Sequence, residues 1–163
     1  MPVGETYARL ARTQGVEIPA WRLQDGFRRV LARAPAMVFP GEPPERIPAC
    51  ERAWWREIVR AAFRAADQMA RLPDFEGLFD ALFAHYARAD AWEAAPGAAD
   101  VLAALRREGR GVAVASNFDH RLPAILAGLG LDALDAVLLP ATLGAAKPDP
   151  AFFAAVAARL AVA

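Results

Sequence analysis

The sequence predicts an α/β fold in which an all-helical N-terminal part precedes a small parallel sheet flanked by helices. Up to about residue 90, apolar residues recur every three or four positions, which is the period of a helix. Beyond that point, two short apolar runs alternate with helical segments, a pattern typical of parallel strands joined by crossover helices. We therefore expect two structural regions of different character.

The composition is that of a globular protein. Of the 163 residues, 56% are apolar, and the formal net charge is zero. Acidic and basic residues are interspersed, so no nucleic-acid partner is expected. The single cysteine, Cys50, excludes an internal disulfide and fits a reducing compartment. Neither a signal-peptide pattern nor an apolar run of membrane-spanning length is found, so we expect a cytoplasmic protein with no membrane partner.

Four amphipathic helices are expected in the N-terminal part. Gly15 and Pro35 follow the first two at positions where helices commonly end. The proline-rich stretch at 40–48 separates the second helix from the third. Helices of this kind bury their apolar faces against one another, which predicts a small bundle. Their predicted spans are 3–14, 21–34, 50–70 and 75–86.

The C-terminal part is expected to contain two parallel strands. They are predicted at 112–116, within the valine-rich run "GVAVAS", and at 136–140, in "AVLLP". Helices are predicted around them at 97–108, at 121–128 and from 150 onward. In a parallel sheet of this type, ligands bind beyond the carboxyl ends of the strands.

Polar residues follow both predicted strands. Ser116 and Asn117 end the first strand, and Lys147, the only lysine in the chain, lies in the loop after the second. The Ser116 hydroxyl and nearby backbone N–H groups are suited to hold oxygens of a phosphate or carboxylate, and Lys147 supplies a compact positive charge. An alternative is that Ser116 or Asp119 caps the helix at 121 and that Lys147 is a solvated loop residue.

Other polar residues have simpler structural interpretations. His85 and His120 lack cysteine or histidine partners at metal-ligand spacing, so no metal site is predicted. A positive stripe on the third helix is interpreted as a solvated face, with a grip on an anionic substrate as the alternative. The stripe consists of Arg52, Arg56, Arg60 and Arg64.

The sequence resembles the haloacid dehalogenase superfamily of hydrolases. The resemblance is carried by "PGAADVLAALRREGRGVAVASN" and "KPDPAFF", which look like two of the four motifs of that superfamily, and by "SNFDHRL". Together with "PVGETYARLARTQGVE" and "AWWREIV", it covers essentially the whole chain. It implies that residues 1–92 are an all-helical cap domain and that residues 93–163 are part of a Rossmann-like core.

The resemblance also implies a reaction and residue roles. An aspartate would attack a phosphorus or carbon centre, and water would hydrolyse the aspartyl intermediate. Ser116 and Lys147 are the implied catalytic residues, with Ser116 and Asn117 binding a small phosphorylated or other anionic substrate. Phosphate-ester hydrolysis is the leading expectation. Dehalogenation of a 2-haloacid and a non-catalytic protein that binds an anion or a partner are the alternatives.

The chain departs from the superfamily pattern at both ends. No Asp-x-Asp pair, which would contain the nucleophile, occurs in the sequence. The superfamily implies Mg²⁺ as cofactor, but the fourth motif, whose carboxylates hold it, is also missing. We therefore expect a truncated and catalytically incomplete chain. The first strand is expected to have an unpaired edge that promotes self-association, and Phe152, Phe153 and Val156 are expected to lie partly in water.

Overall fold

A computed structural model describes residues 2–161 of the chain. These residues form two compact units. The helical unit comprises the residues up to Pro35 together with Arg52–Tyr86. The sheet unit comprises Ala36–Glu51 and the chain from Ala87 onward. The sequence grouped 36–51 with the helices that flank it, whereas in the structure this segment belongs to the sheet unit. The assignment of 1–92 as a cap and 93–163 as a partial core stays a prediction.

The fold is mostly helical with a small parallel sheet, as the sequence predicted. No helix among residues 2–161 has the length and apolar character needed to cross a membrane. The helices are α1 (Val3–Arg12), α2 (Ala20–Leu31), α3 (Ile47–Ala65), α4 (Phe75–His85), α5 (Ala98–Arg107), α6 (Leu122–Gly128), α7 (Pro140–Leu143) and α8 (Pro150–Leu160), and the strands are β1 (Ala113–Ala115) and β2 (Ala136–Leu138).

The helical unit is organised around aromatic side chains. The ring of Tyr7 stacks on Phe63 with centroids 5.8 Å apart and meets the edge of Phe27 at 5.9 Å. Phe63 and Leu23 are completely buried, and the core continues through Phe79 and its neighbours on α4. The apolar faces deduced from helical periodicity therefore do pack against one another, as predicted.

The arginine stripe on α3 packs against α4. The guanidinium group of Arg52 lies 4.8 Å from the ring centroid of Phe79. That of Arg60 lies at the same distance, 4.8 Å, from the ring centroid of Phe75. Arg52 also pairs with Asp80 at 2.5 Å.

Arg56 and Arg60 both pair with Glu76, and Arg60 is only 20% exposed. The hydrogen bond from Arg56 is the largest cause that lowers the pKa of Glu76. The side chains of Arg52, Arg56 and Arg60 are therefore partly solvated and also pair with acidic residues of α4. Periodicity indicated the stripe but not that it faces a neighbouring helix.

The two strands pair in parallel, with Ala113 opposite Ala136 and Ala115 opposite Leu138. The ladder extends by one further bond, from the Ser116 N–H to the Leu138 carbonyl at 3.1 Å. Both strands are shorter than predicted. β2 stops before Pro140 because that residue begins α7, a short helix that the sequence analysis did not predict.

Asp135 fastens the N-terminal end of β1. Its carboxylate accepts the Val112 N–H at 2.7 Å and the Arg106 guanidinium at 3.0 Å. The Asp135 N–H in turn donates to the Val112 carbonyl at 2.8 Å. The hydrogen bond from Val112 is the largest cause that lowers the pKa of Asp135, and Arg106 lowers it further.

Helix α8 buries one of its two adjacent phenylalanines. Phe152 is fully buried, whereas Phe153 is 54% exposed. The expectation that both would lie partly in water is therefore wrong for Phe152. Helix α8 lies against α7, the helix missed from sequence, and presents Phe152 on its inner face.

Replacement of Phe152 should be much more damaging than replacement of its neighbour. Phe152→Ala should lower the free energy of unfolding by about 3–5 kcal/mol, because it leaves a cavity in place of a fully buried ring. Phe153→Ala, on the same helix, should cost less than about 1.5 kcal/mol, since it loses mainly its ring contact with Phe152. Urea unfolding monitored by circular dichroism measures both. Equal losses would contradict the packing of α8.

Stability should depend on the ionisation of Asp135. Because the pKa of Asp135 is lowered in the folded chain, its contribution is complete above the unfolded pKa of about 4 and is lost as pH falls through the folded pKa. We expect the free energy of unfolding of Asp135→Asn to fall less between about pH 5 and pH 2 than that of the wild type. Asp132→Asn, in the same loop, is the control for the change in charge and should follow the wild type. Parallel profiles for the wild type and Asp135→Asn would be the contrary result.

Candidate functional site

The candidate site lies at the carboxyl end of β1. Ser116 and Asn117 follow this strand directly, and Lys147 lies in the loop between α7 and α8. Because β1 and β2 are parallel, the segments that follow them leave the same edge of the sheet. The sequence predicted this juxtaposition from the order of its elements alone.

The side chain of Asn117 clasps the backbone of Lys147. Its amide nitrogen donates to the Lys147 carbonyl at 2.7 Å, and its amide oxygen accepts the Lys147 N–H at 2.8 Å. One amide group thus satisfies both backbone polar groups of a residue 30 positions away. This pair of bonds, called here the Asn117–Lys147 clasp, fixes the second loop to the end of β1. The predicted role of Asn117 in substrate binding stays a prediction.

The ammonium group of Lys147 returns to the same strand. Its Nζ donates to the Ala115 carbonyl at 2.9 Å, and the contact is partly buried. Lys147 is therefore not the solvated loop residue of the alternative interpretation. The Ser116 N–H faces β2, so the Ala115 carbonyl, one residue earlier, faces the other edge of β1. An ammonium carries three protons, which leaves two beyond this bond for ligand oxygens.

Ser116 is held through its backbone. Its N–H bonds to Leu138, whereas its hydroxyl makes no hydrogen bond within residues 2–161. It does not cap the following helix, because the residue at the start of α6 is Arg121 and no side chain caps it. The hydroxyl of Ser116 is thus the polar group of this strand end that is left for a ligand. The predicted catalytic roles of Ser116 and Lys147 stay predictions.

Asp119 and Arg121 form a buried ion pair beside the site. The Asp119 side chain is fully buried and that of Arg121 is 9% exposed. Asp119 accepts the Arg121 backbone N–H at 3.0 Å and two guanidinium nitrogens at 2.8 and 2.5 Å. The carboxylate therefore fixes the turn that leads into α6. The sequence pattern indicated Asp119 as a candidate helix cap and contained no signal for its pairing with Arg121.

A second buried carboxylate comes from α3. Glu51 is 1% exposed, and its Oε2 accepts the backbone N–H of His120 at 3.0 Å and lies 2.5 Å from the ring Nδ1 of the same residue. No motif connects these residues, which are 69 positions apart. The only sequence signal was an acidic residue at the start of a helix whose core-facing side was otherwise apolar.

The cluster of Glu51, Asp119 and His120 does not fit a magnesium ion. Among the described residues, ligand atoms of Glu51, Asp119 and His120 lie within 4.8 Å of one another. Both Asp119 oxygens are bonded to Arg121, and Glu51 Oε2 is bonded to His120. Magnesium takes oxygen ligands that are free of such partners and seldom takes imidazole. This cluster is therefore a hydrogen-bonded support of the loop.

Comparison with known proteins decides the family. Residues 5–163 match the family model described as "haloacid dehalogenase-like hydrolase". The chain belongs to the haloacid dehalogenase-like hydrolases. It is similar to haloacid dehalogenase-like hydrolase domain-containing protein 3 of mouse (36% identity over 156 residues) and of human (37% over 156 residues). Each match covers 93% of this chain and 60% of the relative, so the chain spans about 60% of the length of these proteins.

Further matches extend the same likeness. The rhythmically expressed gene 2 protein of Drosophila melanogaster is 32% identical over 107 residues, covering 61% of this chain and 40% of that protein. Among solved structures, one described as a dehalogenase with an intermediate complex has a TM-score of 0.67 and 27% identity. The match covers 99% of this chain and 66% of the chain in the solved structure. The superfamily deduced from the motifs is confirmed.

Proposed function

We propose that this chain provides the anion site of a hydrolase that cleaves small phosphate esters through an aspartyl intermediate. In this proposal, residues 1–92 serve as the helical cap and residues 93–163 as part of a Rossmann-like core. The observation that carries it is the juxtaposition at the end of β1. Lys147, held by the clasp, donates to the carbonyl of Ala115. The next residue in the chain is Ser116, whose hydroxyl makes no hydrogen bond within residues 2–161.

Each group has a role in this reaction. The Ser116 hydroxyl donates a hydrogen bond to an oxygen of the transferring phosphoryl group. Lys147 offers its two remaining protons and its charge to substrate oxygens and to the attacking carboxylate. Asn117 keeps Lys147 in place. Donors fixed before the substrate arrives need no reorganisation during the reaction.

The attacking aspartate is the missing component. No Asp-x-Asp pair exists in this sequence, and the cluster of Glu51, Asp119 and His120 does not fit a magnesium ion. We propose that the 163-residue chain binds the anion without turning it over, because neither serine nor lysine replaces the covalent nucleophile. The complete activity requires a carboxylate that this sequence does not contain.

Dehalogenation is a second candidate, favoured by the likeness to a solved dehalogenase. The same serine and lysine are suited to hold the carboxylate of a 2-haloacid, while an aspartate displaces the halide at the neighbouring carbon. Both candidates use the same anion site, but the aspartate attacks phosphorus in one and carbon in the other. A chain that binds neither a phosphate nor a 2-haloacid would favour the non-catalytic alternative.

We further propose that the chain self-associates through the free edge of β1. Within the described part of the chain, β1 pairs only with β2, and Ala113, Val114 and Ala115 are all half-buried. A free edge of apolar residues is a template for pairing with another chain. On this edge, the Ala115 carbonyl already accepts a hydrogen bond from Lys147. The part of the edge at Ala113 is therefore where a second copy of the chain would pair.

Phosphate affinity should depend on Lys147. Lys147→Ala should weaken the binding of inorganic phosphate about tenfold to a hundredfold, because a hydrogen bond to a charged group contributes about 1.5–3 kcal/mol. Arg110→Ala removes one positive charge from the exposed loop before β1 and should leave the affinity unchanged. Isothermal titration calorimetry compares the two variants. Equal affinity of Lys147→Ala and the wild type would refute the assigned site.

The chain should show no phosphatase activity on a generic phosphomonoester with magnesium, because it lacks the nucleophile. The measurement is release of phosphate by purified protein. Ser116→Ala is the control that identifies a contaminant, since contaminating activity would persist in it. Turnover that survives purification and disappears in Ser116→Ala would contradict the proposal.

Self-association should appear as a mass that rises with protein concentration in sedimentation equilibrium. Ala113→Pro should reduce it, since proline removes the N–H that faces the free edge. Circular dichroism verifies that the variant is folded. A wild-type chain that stays monomeric at high concentration would exclude this mode of pairing.

A further inference from the structure

The loop at 117–121 is held through each of its side chains. Asn117 clasps Lys147, and the Phe118 ring meets the edge of Trp92 with centroids 5.3 Å apart. Asp119 is bonded to Arg121, whose guanidinium also lies over Phe118 at 5.7 Å. A loop fixed at every residue has few other conformations available, so its position is determined before any ligand binds.

His120 is fixed by the Glu51 carboxylate, which lies outside the loop. A buried carboxylate is costly to place in a protein interior unless hydrogen bonds or charges compensate it. Glu51 is 1% exposed and receives two contacts from His120, one from the backbone and one from the ring. An apolar side chain at this position would pack α3 equally well. The contacts with His120 therefore indicate that the role of Glu51 is to hold the loop.

The Glu51 contact also defines the state of the His120 ring. With Glu51 ionised, its carboxylate only accepts hydrogen bonds, so the contact at 2.5 Å places a proton on Nδ1 of His120. In the neutral ring, Nε2 is then the unprotonated nitrogen. The backbone and ring contacts together restrict the orientation of the His120 side chain.

We infer that Glu51 is a positioning residue of the anion site. Through His120 it holds the loop at 117–121 and, at the far end of that loop, the Asn117–Lys147 clasp. Lys147 is thereby placed by a carboxylate that touches neither Lys147 nor Asn117. As far as it concerns the anion, this inference rests on the proposed function, whereas the loop and the clasp are observed directly.

Amide exchange tests the inference. The ¹⁵N-labelled full chain is compared with Glu51→Met, which removes the acceptor oxygens and keeps a side chain of similar length. Glu57→Met is the matched control, since Glu57 is an exposed residue of the same helix that pairs with arginines. Asn117→Ala, which removes both hydrogen bonds of the clasp, is the positive control.

The Lys147 backbone N–H reports on the clasp. In Glu51→Met it should exchange at least tenfold faster, as in Asn117→Ala, while the amide of the buried Phe79 in the helical unit keeps its rate. Glu57→Met should match the wild type. An unchanged Lys147 rate in a folded Glu51→Met protein would overturn the inference.

The His120 tautomer tests it without any variant. The imidazole nitrogen shifts of the neutral ring in the wild type should identify Nδ1 as the protonated nitrogen. Protonation on Nε2 instead would overturn the inference even if Glu51→Met failed to fold. Failure of the wild type to bind inorganic phosphate would refute the proposed function alone, because neither NMR measurement depends on a ligand.

Discussion

The Asn117–Lys147 clasp is the constraint on which the candidate site depends. Two hydrogen bonds join segments that are 30 residues apart in the chain. They hold the backbone of the loop before α8 at the end of β1, so the flexible lysine side chain has fewer conformations to lose on binding an anion. With them, the ammonium reaches the Ala115 carbonyl from a fixed backbone. The position of one charge is thus a consequence of the sheet, the turn and one amide side chain.

The chain uses its two kinds of strong cation differently. Arginine makes the ion pairs between α3 and α4 and lies over the aromatic rings there, contacts for which a planar fork with several donors is suited. At the end of β1, one cation has to donate hydrogen bonds both to a backbone carbonyl and to the oxygens of a ligand. A compact ammonium with three protons is suited to this. This difference is a physical reason for the single lysine at position 147. The nearby buried carboxylates, Glu51 and Asp119, are occupied by the loop itself.

Much of the architecture could be predicted from the sequence because it is locally encoded. Helical periodicity located the main helices, and the order of strands and helices brought Asn117 and Lys147 together. The errors concern contacts between distant segments. The pairing of Glu51 with His120 spans 69 residues and has no local pattern. Phe152 was expected partly in water because part of the surface that α8 covers was taken to be missing, whereas the structure buries this ring completely. Periodicity did not indicate which neighbour the arginine stripe faces.

Anion binding at the end of β1 can be measured by an NMR titration of the ¹⁵N-labelled chain with inorganic phosphate. We expect the largest changes in amide chemical shift at Ser116, Asn117 and Lys147, with smaller changes elsewhere in the sheet unit. The largest changes at Arg52, Arg56 and Arg60, or no changes at Ser116 and Lys147 at any phosphate concentration, would contradict this expectation.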